Sequence, residues 1–150
     1  MTAGRSATVN RTLALIEQAM ARAVAAQRPA MAANFTHPAW RMTADEFLAF
    51  WGGTRMASVA TAGERSPHAA PLEVSLVDGE FVAPSFADSV RVRDIGRNPN
   101  VVITAWDDAA IVYGRARAPD GGPGMVRVTV HPTRIYAIRA PAGHPAHRPL

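Results

Sequence analysis

The chain has 150 residues, of which 48% are hydrophobic and 19% charged, and its formal net charge at pH 7 is +4. This length and balance are typical of one globular domain rather than of a disordered chain. The absence of cysteine excludes disulfide bonds, thiolate metal sites and thiol nucleophiles. No apolar run approaches the roughly 20 residues of a membrane-spanning helix, and residues 1–10 lack the apolar core of a secretory signal. We therefore expect a soluble cytoplasmic protein.

The first two predicted elements are helices. Residues 10–27 carry apolar side chains at helical spacing, and Asn10 is a candidate N-cap. The side chains that form this apolar face are Leu13, Ile16, Met20 and Val24. Residues 30–41 show no clear period and are interpreted as a connection. A second helix begins at Thr43, where residues 43–46 form a capping box, and ends at Gly52.

From residue 55 onward the pattern changes to that of short strands. Strands are predicted at residues 55–62, 67–77, 80–84, 100–106, 109–118 and 125–139. The Asp78-Gly79 pair predicts a two-residue hairpin turn between the second and the third of these strands. A short helix is predicted over residues 89–97, because Asn98-Pro99 ends it. Six short strands and one intervening helix indicate a closed or nearly closed antiparallel barrel.

The segment that begins at Ser89 carries the chemistry expected of an anion site. At a helix N-terminus, the Ser89 hydroxyl and the free backbone N–H groups would face one spot. Arg91 and Arg93 can add charge-assisted hydrogen bonds there, and phosphate needs this combination of donors and positive charge. The alternative interpretation of the same residues is a solvated basic helix face formed by Arg91, Arg93 and Arg97.

The order of the segments is more specific than any one of them. The strand at residues 55–61 is followed by Gly63, by residues 66–71, by Ser89-Val-Arg-Val-Arg-Asp-Ile-Gly-Arg-Asn-Pro and by a strand with Gly114-Arg-Ala. This order resembles the pyridoxamine 5′-phosphate oxidase-like, FMN-binding split-barrel superfamily, with its flavin and deazaflavin oxidoreductases. Members of that superfamily carry the pattern S-x-K/R-x-x-x-I/L-x-x-N-P. The resemblance covers residues 43–139.

The resemblance implies a mainly β fold. That fold is a six-stranded antiparallel split barrel of the Greek-key type, with flanking helices and an N-terminal helix pair. It divides the chain into a helical extension at residues 1–42, a flavin-binding barrel at 43–140 and a flexible tail at 141–150. The resemblance also implies a homodimer with two cofactor sites at the subunit interface.

The resemblance also assigns cofactor contacts to individual residues. Arg91 corresponds to the basic residue that binds the FMN phosphate, Ser89 falls beside it, and Arg93 supports it. The other implied contacts are Ser58, Val59, Ala60, Thr61, Ala70, Pro71, Leu72 and Trp106. Of these, Trp106 falls near the place where the partner subunit's strand closes over the cofactor. No catalytic residue and no metal ligand is assigned, because the flavin ring itself performs hydride and electron transfer.

Two positions depart from the true pyridoxamine 5′-phosphate oxidases. Ala70 stands where those enzymes have a phosphate-contacting Arg, and Val90 replaces another basic residue. The chain also lacks their C-terminal substrate-binding segment, so we expect no oxidation of vitamin B6. The expected function is that of an oxidoreductase of unknown substrate that uses FMN or the deazaflavin F420. The alternative is a non-enzymatic carrier or sensor of flavin, F420 or haem.

Three further features carry weaker functional interpretations. His68 is either a surface residue of the second strand or a group near the cofactor edge. His144 and His147 have the spacing of metal ligands, but a Pro-rich tail without a nearby carboxylate is a poor metal site. Binding of single-stranded nucleic acid would require aromatic side chains between the Arg residues of exposed strands. Half of the aromatic residues precede residue 52, so we expect no nucleic-acid partner.

Overall fold

This computed structural model describes residues 2–106, 109–119 and 123–139. These residues contain four helices and six strands. The helices are α1 (Thr2–Ala26), α2 (Pro29–Asn34), α3 (Ala44–Trp51) and α4 (Val90–Arg97). The strands are β1 (Thr54–Ala62), β2 (Pro67–Val77), β3 (Glu80–Phe86), β4 (Asn100–Trp106), β5 (Ala109–Arg117) and β6 (Met125–Ile138). The predicted tail at residues 141–150 lies outside the described residues.

The six strands form a closed barrel in the order β1-β2-β3-β6-β5-β4, and all neighbouring strands are antiparallel. The predicted fold class, mainly β with a six-stranded antiparallel barrel and flanking helices, is confirmed. Because side chains alternate between the two faces of a strand, every second residue points into the barrel. Buried residues of this kind include Ala57, Val59, Ile103, Val112 and Val128. None of the described helices has both the length and the apolar character needed to cross a membrane.

The N-terminal region differs from the prediction at two places. Helix α1 begins at Thr2, so that Asn10 lies inside the helix instead of capping it. Residues 2–9 contain no proline, and the helix can therefore extend through them. The connection predicted at residues 30–41 contains the short helix α2. Its first residue is Pro29, and proline suits this position because the N–H that it lacks would have no partner in the helix.

Helix α1 packs against β6 through a narrow face of small and apolar side chains. Ile16, Ala19 and Ala23 are buried on this face, at the spacing of successive helical turns. The two alanines allow the helix to approach the strand closely, and Nε of Arg22 donates a hydrogen bond to the carbonyl oxygen of Thr133 at 2.6 Å. Of the predicted apolar face, Ile16 is buried and Leu13 and Met20 pack partly buried against the core, whereas the two alanines were not part of that prediction.

Helix α3 begins and ends where the sequence predicts. The hydroxyl of Thr43 accepts a hydrogen bond from the amide of Glu46 at 3.2 Å, as expected of a capping box. Phe47 and Trp51 are fully buried. Their rings contact the ring of Phe81 at centroid distances of 6.2 and 4.8 Å, in both cases edge to face. This aromatic cluster fixes α3 to the interior of the barrel.

The Asp78-Gly79 turn joins β2 to β3, as predicted. Asp78 has a φ of 52° and Gly79 a φ of 83°, which is typical of a type I′ turn. Gly79 also lies against Leu15 of α1, because a Cβ at residue 79 would be 2.6 Å from Cδ1 of Leu15. The glycine is therefore required both by the turn and by the helix that covers it.

Gly79→Ala is expected to destabilise the fold by about 1–3 kcal/mol, since alanine would adopt a strained positive φ and would displace Leu15. Urea unfolding followed by circular dichroism gives the free energy. Gly96→Ala is the matched control, because nothing lies within 4 Å of a Cβ added at that helical glycine. The control is expected to be neutral or stabilising by about 0.5–1 kcal/mol. Equal losses in the two variants would contradict the prediction.

Strand β2 extends beyond its pairing with β3. It pairs with β1 from Pro67 to Ser75, but with β3 only at Ser75, Leu76 and Val77. The first part of β2 and the end of β1 therefore project beyond β3. Helix α4 follows β3 in the chain and packs against β1 and β3. This arrangement brings the first turn of α4 next to the projecting ends of β1 and β2.

Candidate functional site

A small cavity lies between the first turn of α4 and the projecting ends of β1 and β2. Its volume is about 190 Å³. The lining residues are Val59, Thr61, His68, Ala69, Ala70, Ser89, Val90 and Arg91. Those for which the sequence predicts a cofactor contact are Val59, Thr61, Ala70, Ser89 and Arg91. The structure therefore brings the predicted phosphate-binding segment and both predicted small-residue strands to one place.

Ser89 caps α4 and organises its first turn. The hydroxyl of Ser89 accepts a hydrogen bond from the amide of Val92 at 3.3 Å, and its carbonyl accepts one from the amide of Arg93 at 3.2 Å. The backbone N–H groups of Val90 and Arg91 have no acceptor within the helix, and they can donate to an acceptor outside it. An anion is the acceptor that the helix dipole favours at this end.

Arg91 is half-buried at the cavity, and its guanidinium group is held in place. Nη1 donates a hydrogen bond to Oγ of Ser85 at 2.9 Å, and Ser85 itself is buried. Burial lowers the pKa of Arg91 below its ordinary value, but an arginine remains protonated at neutral pH. Arg91 therefore supplies a fixed positive charge, and its other N–H groups can bind an anion.

Asp94 is a buried carboxylate that the sequence analysis did not single out. Its Oδ2 accepts a hydrogen bond from the hydroxyl of Thr61 at 2.8 Å and lies 2.6 Å from Nδ1 of His68. The Asp94 side chain is 3% exposed and that of His68 is 45% exposed. Burial alone would raise the pKa of Asp94, but the hydrogen bonds from His68 and Thr61 outweigh it and keep that pKa below its ordinary value. The carboxylate is therefore charged at neutral pH, and it links α4 to both strands of the cavity.

Asp94→Asn is expected to lower the free energy of unfolding by about 1–3 kcal/mol at pH 7, since two buried or half-buried donors lose their charged acceptor. The pKa of Asp94 is lower in the folded than in the unfolded chain. The stabilisation of the fold by the Asp94 carboxylate is therefore complete above the ordinary Asp pKa of 3.8. This stabilisation is lost as the pH falls through the folded-state pKa of Asp94.

Urea unfolding between neutral and acidic pH measures this loss. The acid-dependent part of the stability is expected to be smaller in Asp94→Asn than in the wild-type protein. Asp45→Asn, at an exposed position of α3, is the control and is expected to follow the wild-type curve. A wild-type pH dependence in Asp94→Asn would show that the carboxylate does not stabilise the fold.

Four of the strand residues predicted to contact the cofactor do not line this cavity. Ser58 and Ala60 point to the opposite face of β1 from Val59. Ala60 lines a separate cavity of about 410 Å³. Pro71 and Leu72 follow the cavity residue of β2 along the same strand, where they are exposed and half-buried, respectively. Of the strand residues for which the sequence predicts a contact, those at the cavity are therefore Val59, Thr61 and Ala70.

Arg93 and Trp106 lie elsewhere. Arg93 lines another cavity of about 520 Å³, which shares Ser89 with the first. Trp106 is 58% exposed and ends β4, whereas Val101, near the start of β4, pairs with Thr61 of the cavity. At the ordinary rise of a strand, these two β4 residues are roughly 16 Å apart. Trp106 therefore does not line the cavity of its own chain.

A larger cavity of about 610 Å³ lies beside Glu80 and Arg117. Its Arg117 is not free to bind an anion, because both Nη atoms of Arg117 donate to Glu80, at 2.7 and 2.9 Å. These hydrogen bonds lower the pKa of Glu80 and raise that of Arg117. The cavity is also lined by Arg127. Within the described ranges no three metal-ligating side chains cluster together, whereas His144 and His147 lie outside those ranges.

The cavity beside Arg91 fits the phosphate end of a flavin-type cofactor. Sites for whole small molecules usually have volumes of about 300–1,000 Å³, so a cavity of about 190 Å³ takes one end of such a molecule. The guanidinium of Arg91 and the two helix-start amides are suitable donors for a phosphate group.

Comparison with known proteins bears on the fold. No family model and no curated protein matches the sequence significantly. A proposed pyridoxamine 5′-phosphate oxidase from Listeria innocua is 16% identical with a TM-score of 0.57, over 62% of this chain and 95% of that one. A conserved hypothetical protein from Mycobacterium tuberculosis is 17% identical with a TM-score of 0.62, over 76% and 95% of the two chains. An F420 reductase is 14% identical with a TM-score of 0.52, over 59% and 94%.

These identities are low, and the likeness therefore concerns the arrangement of the strands. The chain shares the fold of the proposed pyridoxamine 5′-phosphate oxidase and of the F420 reductase.

Proposed function

We propose that this protein binds a flavin-type cofactor, FMN or F420, with the cofactor's phosphate in the cavity at the start of α4. The observation that carries the proposal is one small cavity lined by Val90 and Arg91 at the start of α4, where the Arg91 guanidinium is fixed by its hydrogen bond to Ser85. The names of two structures with the same fold support the cofactor class, since one is a proposed pyridoxamine 5′-phosphate oxidase and another an F420 reductase.

The chain itself binds and orients the cofactor in this proposal. Arg91 and the helix-start amides bind the phosphate, and the small residues of β1 and β2 let the ring system approach the backbone. When bound, a flavin or deazaflavin supplies hydride transfer. We propose on this basis that the protein is an oxidoreductase, with a substrate other than vitamin B6, because Ala70 and Val90 replace basic residues of the true oxidases.

We further propose that the protein acts as a homodimer that covers the open side of the cofactor. Met56 of β1 and Trp106 of β4 are both 58% exposed. The two strand ends lie close together, because Nη1 of Arg55, the neighbour of Met56 in the chain, donates to the carbonyl oxygen of Trp106 at 2.8 Å. Exposed apolar neighbours of this kind often form interfaces. Analytical ultracentrifugation gives the mass in solution, and a monomer at micromolar concentration would contradict this part of the proposal.

The visible spectrum of the purified protein, with mass spectrometry of any released ligand, tests the cofactor assignment. Titration of the ligand-free protein with FMN and with F420 then gives the two dissociation constants. No bound cofactor and no binding of either compound would overturn the proposed function. Assays with reduced cofactor and candidate acceptors separate the oxidoreductase from a carrier or sensor, which would bind tightly without turnover.

A further inference from the structure

His68 lines the same cavity as Arg91. We propose that His68 is a second ligand of the cofactor's phosphate and that Asp94 positions it. This proposal rests on the proposed function, because it assigns a further residue to the same anion site. The chemical class that it recognises is a phosphate monoester or diester.

Asp94 fixes the orientation of the imidazole. Nδ1 of His68 lies 2.6 Å from Oδ2 of Asp94, and a charged carboxylate can only accept, so Nδ1 carries the proton of this pair. The ring edge also lies against Gly63, where an added Cβ would be 2.6 Å from Cε1 and 2.8 Å from Nδ1. In the described part of the chain, Nδ1 is the ring nitrogen that has a hydrogen-bond partner. Nε2 is then available to a ligand.

His68 lies on the face of β2 that reaches the cavity. His68 and Ala70 are two residues apart on the strand and therefore point to the same face, and both line the cavity. With both ring nitrogens protonated, His68 donates one proton to Asp94 and can donate the other to a phosphate oxygen. The phosphate would then have ligands on two elements, Arg91 on α4 and His68 on β2.

Other charged groups lie on the elements that surround the imidazole. Helix α4 contributes Asp94, Arg91 and Arg93, and the charge of Arg93 acts on Asp94. The turn after β1 contributes Glu64 and Arg65, and Glu64 pairs with Arg97 of α4 at 3.3 Å.

The test compares wild-type protein with His68→Gln in titrations with FMN under the same conditions. We expect His68→Gln to bind FMN about tenfold more weakly than the wild type. Riboflavin, which lacks the phosphate, is the matched ligand and is expected to bind both proteins equally. Asp94→Asn is also expected to weaken FMN binding, since it removes the positioning carboxylate. Equal FMN affinities of the wild type and His68→Gln would overturn the proposal.

A second measurement separates this proposal from the cofactor assignment. The ¹⁵N chemical shifts of the His68 ring in the wild-type protein report which nitrogen is protonated. This measurement does not depend on whether a variant of His68 folds. We expect inorganic phosphate to move the Nε2 signal. If neither FMN nor F420 binds but phosphate moves this signal, the anion site stands and the flavin function fails. If neither FMN nor phosphate changes the signal, His68 is not a phosphate ligand.

Discussion

Replacing Arg91 with alanine is expected to weaken FMN binding by about 1.5–3 kcal/mol, or roughly 10- to 150-fold in the dissociation constant. Arg91 is the fixed cation of the cavity, and a charge-assisted hydrogen bond to phosphate is stronger than one between neutral groups. Titration of flavin fluorescence measures the effect. We expect Arg91→Ala to change the affinity for riboflavin much less, because riboflavin has no phosphate group for Arg91 to bind.

Arg93→Ala is the matched control for Arg91→Ala. Both residues are arginines of α4, but Arg93 lines the neighbouring cavity instead of the one beside His68. We expect the control to change FMN affinity by no more than a screened surface charge does, about 0.2–1 kcal/mol. Arg91→Ala also leaves the buried Ser85 hydroxyl without its donor, so the unfolding free energy of each variant is measured beside its affinity. Equal affinities of the two variants would contradict the assignment of the phosphate to Arg91.

Trp51→Ala is expected to cost about 3–5 kcal/mol of unfolding free energy, which is a large part of the stability of a domain of this size. The Trp51 side chain is fully buried, contacts Phe81, and donates from Nε1 to the carbonyl oxygen of Val74 at 3.0 Å. Its removal leaves a cavity at the junction of α3 with the barrel. The unfolding free energy in urea measures this loss directly.

Two further variants apportion the effect of Trp51→Ala. Trp51→Phe keeps an aromatic ring but loses the Nε1 donor, so it is expected to cost less than alanine does. Phe86→Ala removes an aromatic side chain that is 63% exposed, and we expect a change within about 0.5 kcal/mol. If Trp51→Ala were as mild as Phe86→Ala, α3 would not be anchored through its tryptophan.

The strongest local signals of the sequence predicted their elements correctly. The Thr43 cap, the Asp78-Gly79 turn and the Ser89 helix start each depend on hydrogen bonds or dihedral angles within a few residues. Their geometry is therefore encoded almost completely in short segments. The predicted start of α1 at Asn10 was wrong, because Asn10 can cap a helix but does not prevent one from continuing toward the N-terminus. Helix α2 was not predicted, because a segment of six residues is too short for a helical repeat of apolar residues to be recognised.

The candidate site was predictable in part. The motif around Ser89 and Arg91 indicated a phosphate site, and the structure places both residues at one cavity with residues of β1 and β2. Asp94 carried a usable signal, because it precedes the buried Ile95 on a short helix, and an acidic residue on a buried face needs a partner. The identity of that partner could not be read from the sequence, since His68 is 26 residues away in the chain.

The sequence by itself determined the strands, the tight turn and the two best-defined helix starts, because each depends on neighbours in the chain. Only the tertiary structure decided which residues face the cavity. Closure of the barrel and the projection of β2 beyond β3 bring Thr61, His68 and Asp94 into hydrogen-bond contact. The same closure leaves Arg93 and Trp106 outside that cavity. These contacts join residues far apart in sequence, and their geometry depends on strand register that no local pattern specifies.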